Sequence, residues 1–290
     1  MNANHPLRPE IPRSGAKSRH GFTVVELLAI VIVLGAMASV LATSMAGTRM
    51  TAPAFQCWNN LKQLTTAWNM YSDDNHGQLV YNSDGGGVGL SASTAAWVGG
   101  WLDFSGGQPL YSVTNTDLLV NHAKYPYAAF LGPYIRSPAP FKCPADRSTV
   151  TFGGRRFQRV RSVSMNNYLG VNSRTWASPS RYTLCTSVPQ VKFPAGMFVI
   201  LDERADSIND GMFISDPDTR WQLIDYPAAY HNGSGSFSFA DGHVEGHRWR
   251  DARTNPVLQP GQLMPLNQNL PGNVDILWLQ QHAAGARTFP

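Results

Sequence analysis

Gly21-Phe22-Thr23-Val24-Val25-Glu26-Leu27-Leu28 opens an apolar run that continues to about Ala46 with Glu26 as its only charge. At the helical rise, roughly 25 such residues reach about 37 Å, enough to cross a hydrocarbon layer of about 30 Å. The sequence therefore predicts a transmembrane helix over residues 22–46. Ahead of it, residues 1–21 carry Arg8, Arg13, Lys17 and Arg19 against Glu10, with Pro6, Pro9 and Pro12 discouraging regular structure. They read as a basic leader, which by the positive-inside rule puts the amino end in the cytoplasm and the remainder outside a bacterial inner membrane. A plain secretory signal fits less well, because its apolar core is shorter, about 7–15 residues. A carboxylate inside an apolar span costs about 2.5–3.5 kcal/mol, so Glu26 calls for a partner. If the chain is cut after Gly21, the new ammonium group of Phe22 on a neighbouring copy could serve. The plainer alternative is a hydrated glutamate at the membrane edge.

Gly21-Phe22-Thr23 with Glu26 and Leu27-Leu28 resembles the cleavage and methylation motif of type IV prepilins and type II secretion pseudopilins. The resemblance implies cleavage by a prepilin peptidase after Gly21, methylation of Phe22 and use of Glu26 in assembly. It also implies partners: copies of the chain or other pseudopilins, and a secretion or pilus machine. It covers about a tenth of the chain.

Beyond the run, Pro53 is expected to kink the helix. Phe55, Trp58, Leu61, Leu64, Trp68 and Tyr71 recur at helical spacing, so residues 47–76 read as an amphipathic continuation. From residue 77 to 290, strand-like segments alternate with Gly, Pro, Ser and Asn. The candidates are 95–104, 160–169, 195–202, 210–215, 235–240 and 243–249, with a short terminal helix near 273–283. Asp241-Gly242 between the last two strands predicts a type I′ hairpin. The fold class that follows is α+β: a long amino-terminal helix, transmembrane in its first half, packed on an antiparallel β-sheet domain with long loops.

His231 precedes Asp241-Gly242 by nine intervening residues, which resembles the H-X9-DG region of prepilin-like proteins of Planctomycetes, Verrucomicrobia and Lentisphaerae. The stretches 57–63, 141–146 and 164–168 resemble the same group. Because Cys57 and Cys143 sit in two of these stretches, and the compartment would be oxidising, the resemblance implies a Cys57–Cys143 disulfide with Cys185 left free. Three unpaired buried thiols are the alternative.

Composition narrows the remaining classes. Hydrophobic residues make up 43% and charged residues 14%, a composition that folds. The leader carries most of the net charge of +4, and no dense basic run follows it, so nucleic acid is not an expected partner. The cluster Arg155, Arg156, Arg159 and Arg161 reads as a solvated loop or strand. There is no CxxC pair, GxSxG, Walker loop or GxGxxG after a strand, so no enzyme and no cofactor are expected. A metal site from a subset of His231, His243, His247, Asp202, Glu203 and Asp241 is conceivable, but His243 and His247 on one strand are about 13 Å apart, too far for one ion. Asp206, Asn209 and Asp210 are the calcium candidates, with ordinary turn chemistry as the simpler reading. Eight Trp and ten Tyr would suit a glycan-binding surface as well as a core. The function expected is a structural pseudopilin-like subunit, and the alternative is a membrane-anchored extracytoplasmic binding module, for glycan or metal, or an enzyme, that does not polymerise.

Overall fold

A computed structural model describes residues 23–45, 52–104, 110–172, 182–215 and 219–285. The leader, Gly21 and Phe22 lie outside the described residues. The chain divides into two compact units, Met1–Arg49 and Met50–Pro290.

The first unit contains helix α1, Val24–Met45. Thr23 and Glu26 close its start: the Thr23 backbone N–H and hydroxyl donate to Glu26 Oε2 at 2.8 and 2.9 Å, and Glu26 N–H donates to Thr23 Oγ1 at 3.2 Å. This reciprocal capping box satisfies amides that a helix start leaves unpaired. Val24, Val25, Leu27, Leu28 and Ile30 through Leu34 are all exposed, so α1 has no polar face along this stretch.

The second unit begins with α2, Ala52–Asp74. Pro53 lies in its first turn, where the missing N–H is no loss, so it starts a new helix rather than kinking a continuous one. The single long helix expected over 22–76 is therefore corrected to two helices in separate units. Its transmembrane first half is corrected as well, since no helix among the described residues is long and apolar enough to cross a membrane. The buried face of α2 is Ala54, Cys57, Leu61, Leu64, Trp68 and Tyr71. Phe55 is 65% exposed because it lies six positions from Leu61, about 240° round the helix.

Short helices α3 (Leu110–Thr114), α4 (Asp117–Val120) and α5 (Gly132–Ile135) follow, and the chain ends its described part in α6, Val274–Ala283. Asn273 Oδ1 caps α6 by accepting from the Asp275 and Ile276 amides. Strands β1 (Thr149–Phe152) and β2 (Arg155–Gln158) form a hairpin over Gly153-Gly154. Both glycines have positive φ, 55° and 75°, as a two-residue type I′ turn requires. The central sheet comprises β3 (Val163–Asn166), β4 (Phe198–Asp202), β5 (Met212–Phe213), β7 (Ser234–Phe239) and β8 (Val244–Arg248), in the order β5-β3-β4-β7-β8. Between β5 and β7, β6 (Gln222–Leu223) pairs with the late strand β9 (Gln268–Asn269). The sheet is mixed, not antiparallel throughout, because β5 runs parallel to β3.

Alternate residues of β7 divide the two faces of this sheet. Phe237 and Phe239 meet α6, with Phe237 4.9 Å from Trp278 and Phe239 6.0 Å from His282 between ring centroids. The opposite face carries the small residues Ser236, Ser238 and Gly246, and α2 lies there: a Cβ on Gly246 would come within 3.0 Å of the Trp58 ring. Small residues on the strands admit the helix, and Leu61, Leu64 and Trp68 fill the core beneath it.

The strands and the loops between them depart from expectation in three places. Residues 95–104 form no strand. Trp97 is held instead in a buried loop, its indole N–H donating to Gly211 O at 2.9 Å and its amide to Tyr81 O at 2.7 Å. The β7–β8 turn has three residues, Ala240-Asp241-Gly242, with Gly242 N–H bonded to Phe239 O and Gly242 at φ 89°, so it is not a two-residue type I′ turn. Arg159 and Arg161 are buried at 1% exposure, unlike Arg155 and Arg156, because the chain turns from the exposed strand β2 into the core.

Candidate functional site

Four segments far apart in sequence deliver the most chemically capable group among the described residues. Cys57 sits on the buried face of α2, Cys143 follows the Pro140-Phe141 turn, Asp202 ends β4, and His231 precedes the turn into β7. Asp202 shares the α2-facing side of the sheet with Ser236, whose N–H donates to Asp202 Oδ1 at 2.6 Å. Asn232 and Gly233, at φ 57° and 76°, form the tight turn that brings His231 to the same place. The Ser162 hydroxyl accepts from the Cys143 N–H at 2.7 Å and fixes that loop.

One ligand atom from each of the four residues lies within 4.8 Å of every other. His231 Nε2 is 3.3 Å from Cys143 Sγ and 3.6 Å from Asp202 Oδ2, and Cys57 Sγ is 3.7 Å from the same Asp202 oxygen. All three cysteines are free thiols. The expected Cys57–Cys143 pair is thus brought together, but as two members of a four-residue cluster and without a disulfide. Cys185 stands apart, bonded to Thr183 O at 3.6 Å.

The electrostatics are those of a site with more negative character than it can hold. The hydrogen bond from Cys57 and the neighbouring His231 pull the Cys143 thiol down to about 5. Donating that bond, and burial, push the Cys57 thiol well up. Burial, with the Cys143 charge beside it, lifts the Asp202 carboxyl to about 7. His231 is raised, because Cys143 and Asp202 outweigh the burial that opposes its charge.

The other candidates do not converge. Glu203 points away from the cluster, its oxygens accepting from Ser164 and Ser207 hydroxyls at 2.6 and 2.7 Å. His243 pairs with Asp241 at 2.6 Å in the exposed hairpin turn, and His247 stacks on Trp278. The two ends of the H-X9-DG stretch therefore serve different places. His231 joins the cluster, whereas Asp241 and Gly242 shape the far end of β7, where Gly242 O accepts from Lys62 Nζ. Of the calcium candidates, Asp206 is ion-paired to Arg204 at 2.5 Å and Asp210 accepts the amides of Gly85 and Met212, both at 2.8 Å. Asn209 Oδ1 accepts the Asp210 amide at 2.6 Å, so these oxygens are engaged inside the protein.

A cavity of about 750 Å3 opens beside Ala145 and Tyr230, lined also by Phe104, Arg147, Arg156 and Gln259. Reasoning from sequence singled out all four cluster residues but divided them between a disulfide and a histidine-rich metal site. No spacing signal joins them, since Cys57 and Asp202 are 145 residues apart.

A family model described as "Protein of unknown function (DUF1559)" matches residues 48–221. No curated protein and no solved structure matches the chain.

Proposed function

We propose that this chain, which belongs to the DUF1559 family, is a structural pilin-like subunit, processed after Gly21 and assembled through α1 with copies of itself or other pseudopilins. The observation that carries this reading is α1 itself. Val24, Val25, Leu27, Leu28 and Ile30 through Leu34 present apolar surface on all sides, and a helix of that kind requires apolar surroundings. Neighbouring copies of α1 would supply them. Both capping bonds to Glu26 fall on Oε2, which leaves Oε1 for the Phe22 ammonium of a neighbour. The motif at Gly21-Phe22 and the H-X9-DG stretch support the same reading.

The test is the intact mass of the protein from a host that carries a prepilin peptidase. A mature chain beginning at Phe22 with one added methyl group is expected. A retained leader, or a cut elsewhere, would overturn the proposal.

The second reading, an exported binding module that does not polymerise, is favoured by the cavity beside Tyr230, whose Arg147 and Arg156 suit an anionic or polyhydroxylated ligand.

A further inference from the structure

We propose that Cys57, Cys143, Asp202 and His231 bind one Zn2+ ion in a closed, four-ligand structural site. Zinc takes thiolate sulfur at about 2.3 Å and imidazole nitrogen or carboxylate oxygen at about 2.0–2.2 Å, so the edges of its tetrahedron measure about 3.3–3.8 Å. The distances 3.3, 3.6 and 3.7 Å between His231 and Cys143, His231 and Asp202, and Cys57 and Asp202 fall on those edges.

The orientation of His231 separates this arrangement from a nucleophilic triad. In a triad the imidazole uses one nitrogen for the nucleophile and the other for the carboxylate. Here Cys143 and Asp202 both approach Nε2, while Nδ1 is buried with no hydrogen-bond partner among the described residues. Several ligand atoms gathered around a single nitrogen's lone pair describe the surroundings of an ion. In that state Nδ1 carries the imidazole proton and Nε2 is free to ligate.

Chemistry and support agree with the geometry. Two thiolates, an imidazole and a carboxylate are a donor set that zinc accepts, and four protein ligands close the site to substrate. Binding displaces to solvent the proton of the Cys57 thiol and the one held by the Cys143–His231 pair, leaving two thiolates, neutral His231, the Asp202 carboxylate and a single net negative charge around the ion. The Ser236 amide on Asp202 Oδ1 holds the carboxylate with Oδ2 toward the cluster, the kind of outer contact that fixes a ligand's orientation. The ion would join α2 to the end of β4, the segment entering β7 and the loop at Cys143, drawing together segments up to 145 residues or more apart. This inference does not depend on whether the chain polymerises.

The test is zinc content of the full-length protein, purified without chelator and dialysed against metal-free buffer. About one zinc per chain is expected, retained in Cys185→Ser and lost in Cys143→Ser and Asp202→Asn. Should those two variants fail to fold, Co2+ substituted into the wild type supplies an independent reading: tetrahedral d–d absorption with thiolate charge-transfer bands. Wild-type protein that is zinc-free and gives octahedral Co2+ spectra would overturn the proposal. So would a Cys57–Cys143 disulfide recovered by non-reducing digestion, or unchanged zinc content in folded Cys143→Ser.

Discussion

His247 stacks on Trp278 with ring centroids 3.8 Å apart, pinning β8 to α6. Burial, further assisted by nearby His282 and Arg250 against the opposing pull of Asp275, depresses His247 to about 4. In the unfolded chain it titrates near 6.5, so between pH 6.5 and 4 the unfolded state binds more protons than the folded one. Stability is accordingly present in full above pH 6.5 and lost as pH falls toward 4. The loss expected from this residue is about 1–2 kcal/mol after allowance for solvent screening. His247→Phe keeps the stacking, and the His247 Nε2 has no hydrogen-bond partner among the described residues to lose. Thermal unfolding from pH 7.5 to 4.5 should show a flatter decline for the variant. Identical slopes would mean that other groups, His282 among them, carry the acid sensitivity.

Arg159 is the other buried group with a definite task. Its guanidinium donates to the carbonyls of Leu102, Ala205 and Ile208 and lies over the Phe104 ring at 4.3 Å. Arg159→Met leaves three inward-facing carbonyls without a donor and is expected to cost about 3 kcal/mol or more in chemical denaturation. Arg159→Lys should recover less than half of that, because a single ammonium cannot span the fork. A loss below about 1 kcal/mol in Arg159→Met would place those carbonyls in contact with water.

Much of the second unit was legible because its signals are local. The helical spacing of Leu61, Leu64, Trp68 and Tyr71 marked α2, and runs around Met165, Ile200, Phe237 and Val244 marked β3, β4, β7 and β8. The short terminal helix expected near 273–283 is α6, which Asn273 caps. The hairpin over Gly153-Gly154 was not among the expected strands, because the charged Arg155-Arg156 beyond its turn reads as solvated surface. What escaped depends on contacts remote in sequence. Trp97 lies in a loop because Gly211 and Tyr81 supply its partners, and Arg159 is buried because three distant carbonyls receive it. Pro53 was misread as a kink because a proline in a first helical turn and one at a kink look alike when the apolar pattern continues on both sides.

The candidate site illustrates the same limit. Cys57, Cys143 and His231 each stood out from their surroundings, yet tertiary structure alone gathers them with Asp202. A pair of cysteines in matching stretches suggests a disulfide until a histidine and a carboxylate are found beside them.

The role of Glu26 is the point on which the assembly account turns, and two variants separate its two tasks. Glu26→Gln keeps the capping box, since Gln serves at that position as Glu does, but removes the charge. Thr23→Ala removes the capping partner and keeps the carboxylate. The measurement is cross-linking of the processed protein in cells, wild type beside both variants, with intact mass as the control for cleavage. The account expects cross-linked multimers through α1 in the wild type and Thr23→Ala, and their loss in Glu26→Gln. Multimers undiminished in Glu26→Gln, with losses confined to Thr23→Ala, would show that Glu26 only caps its own helix and would contradict assembly through that carboxylate.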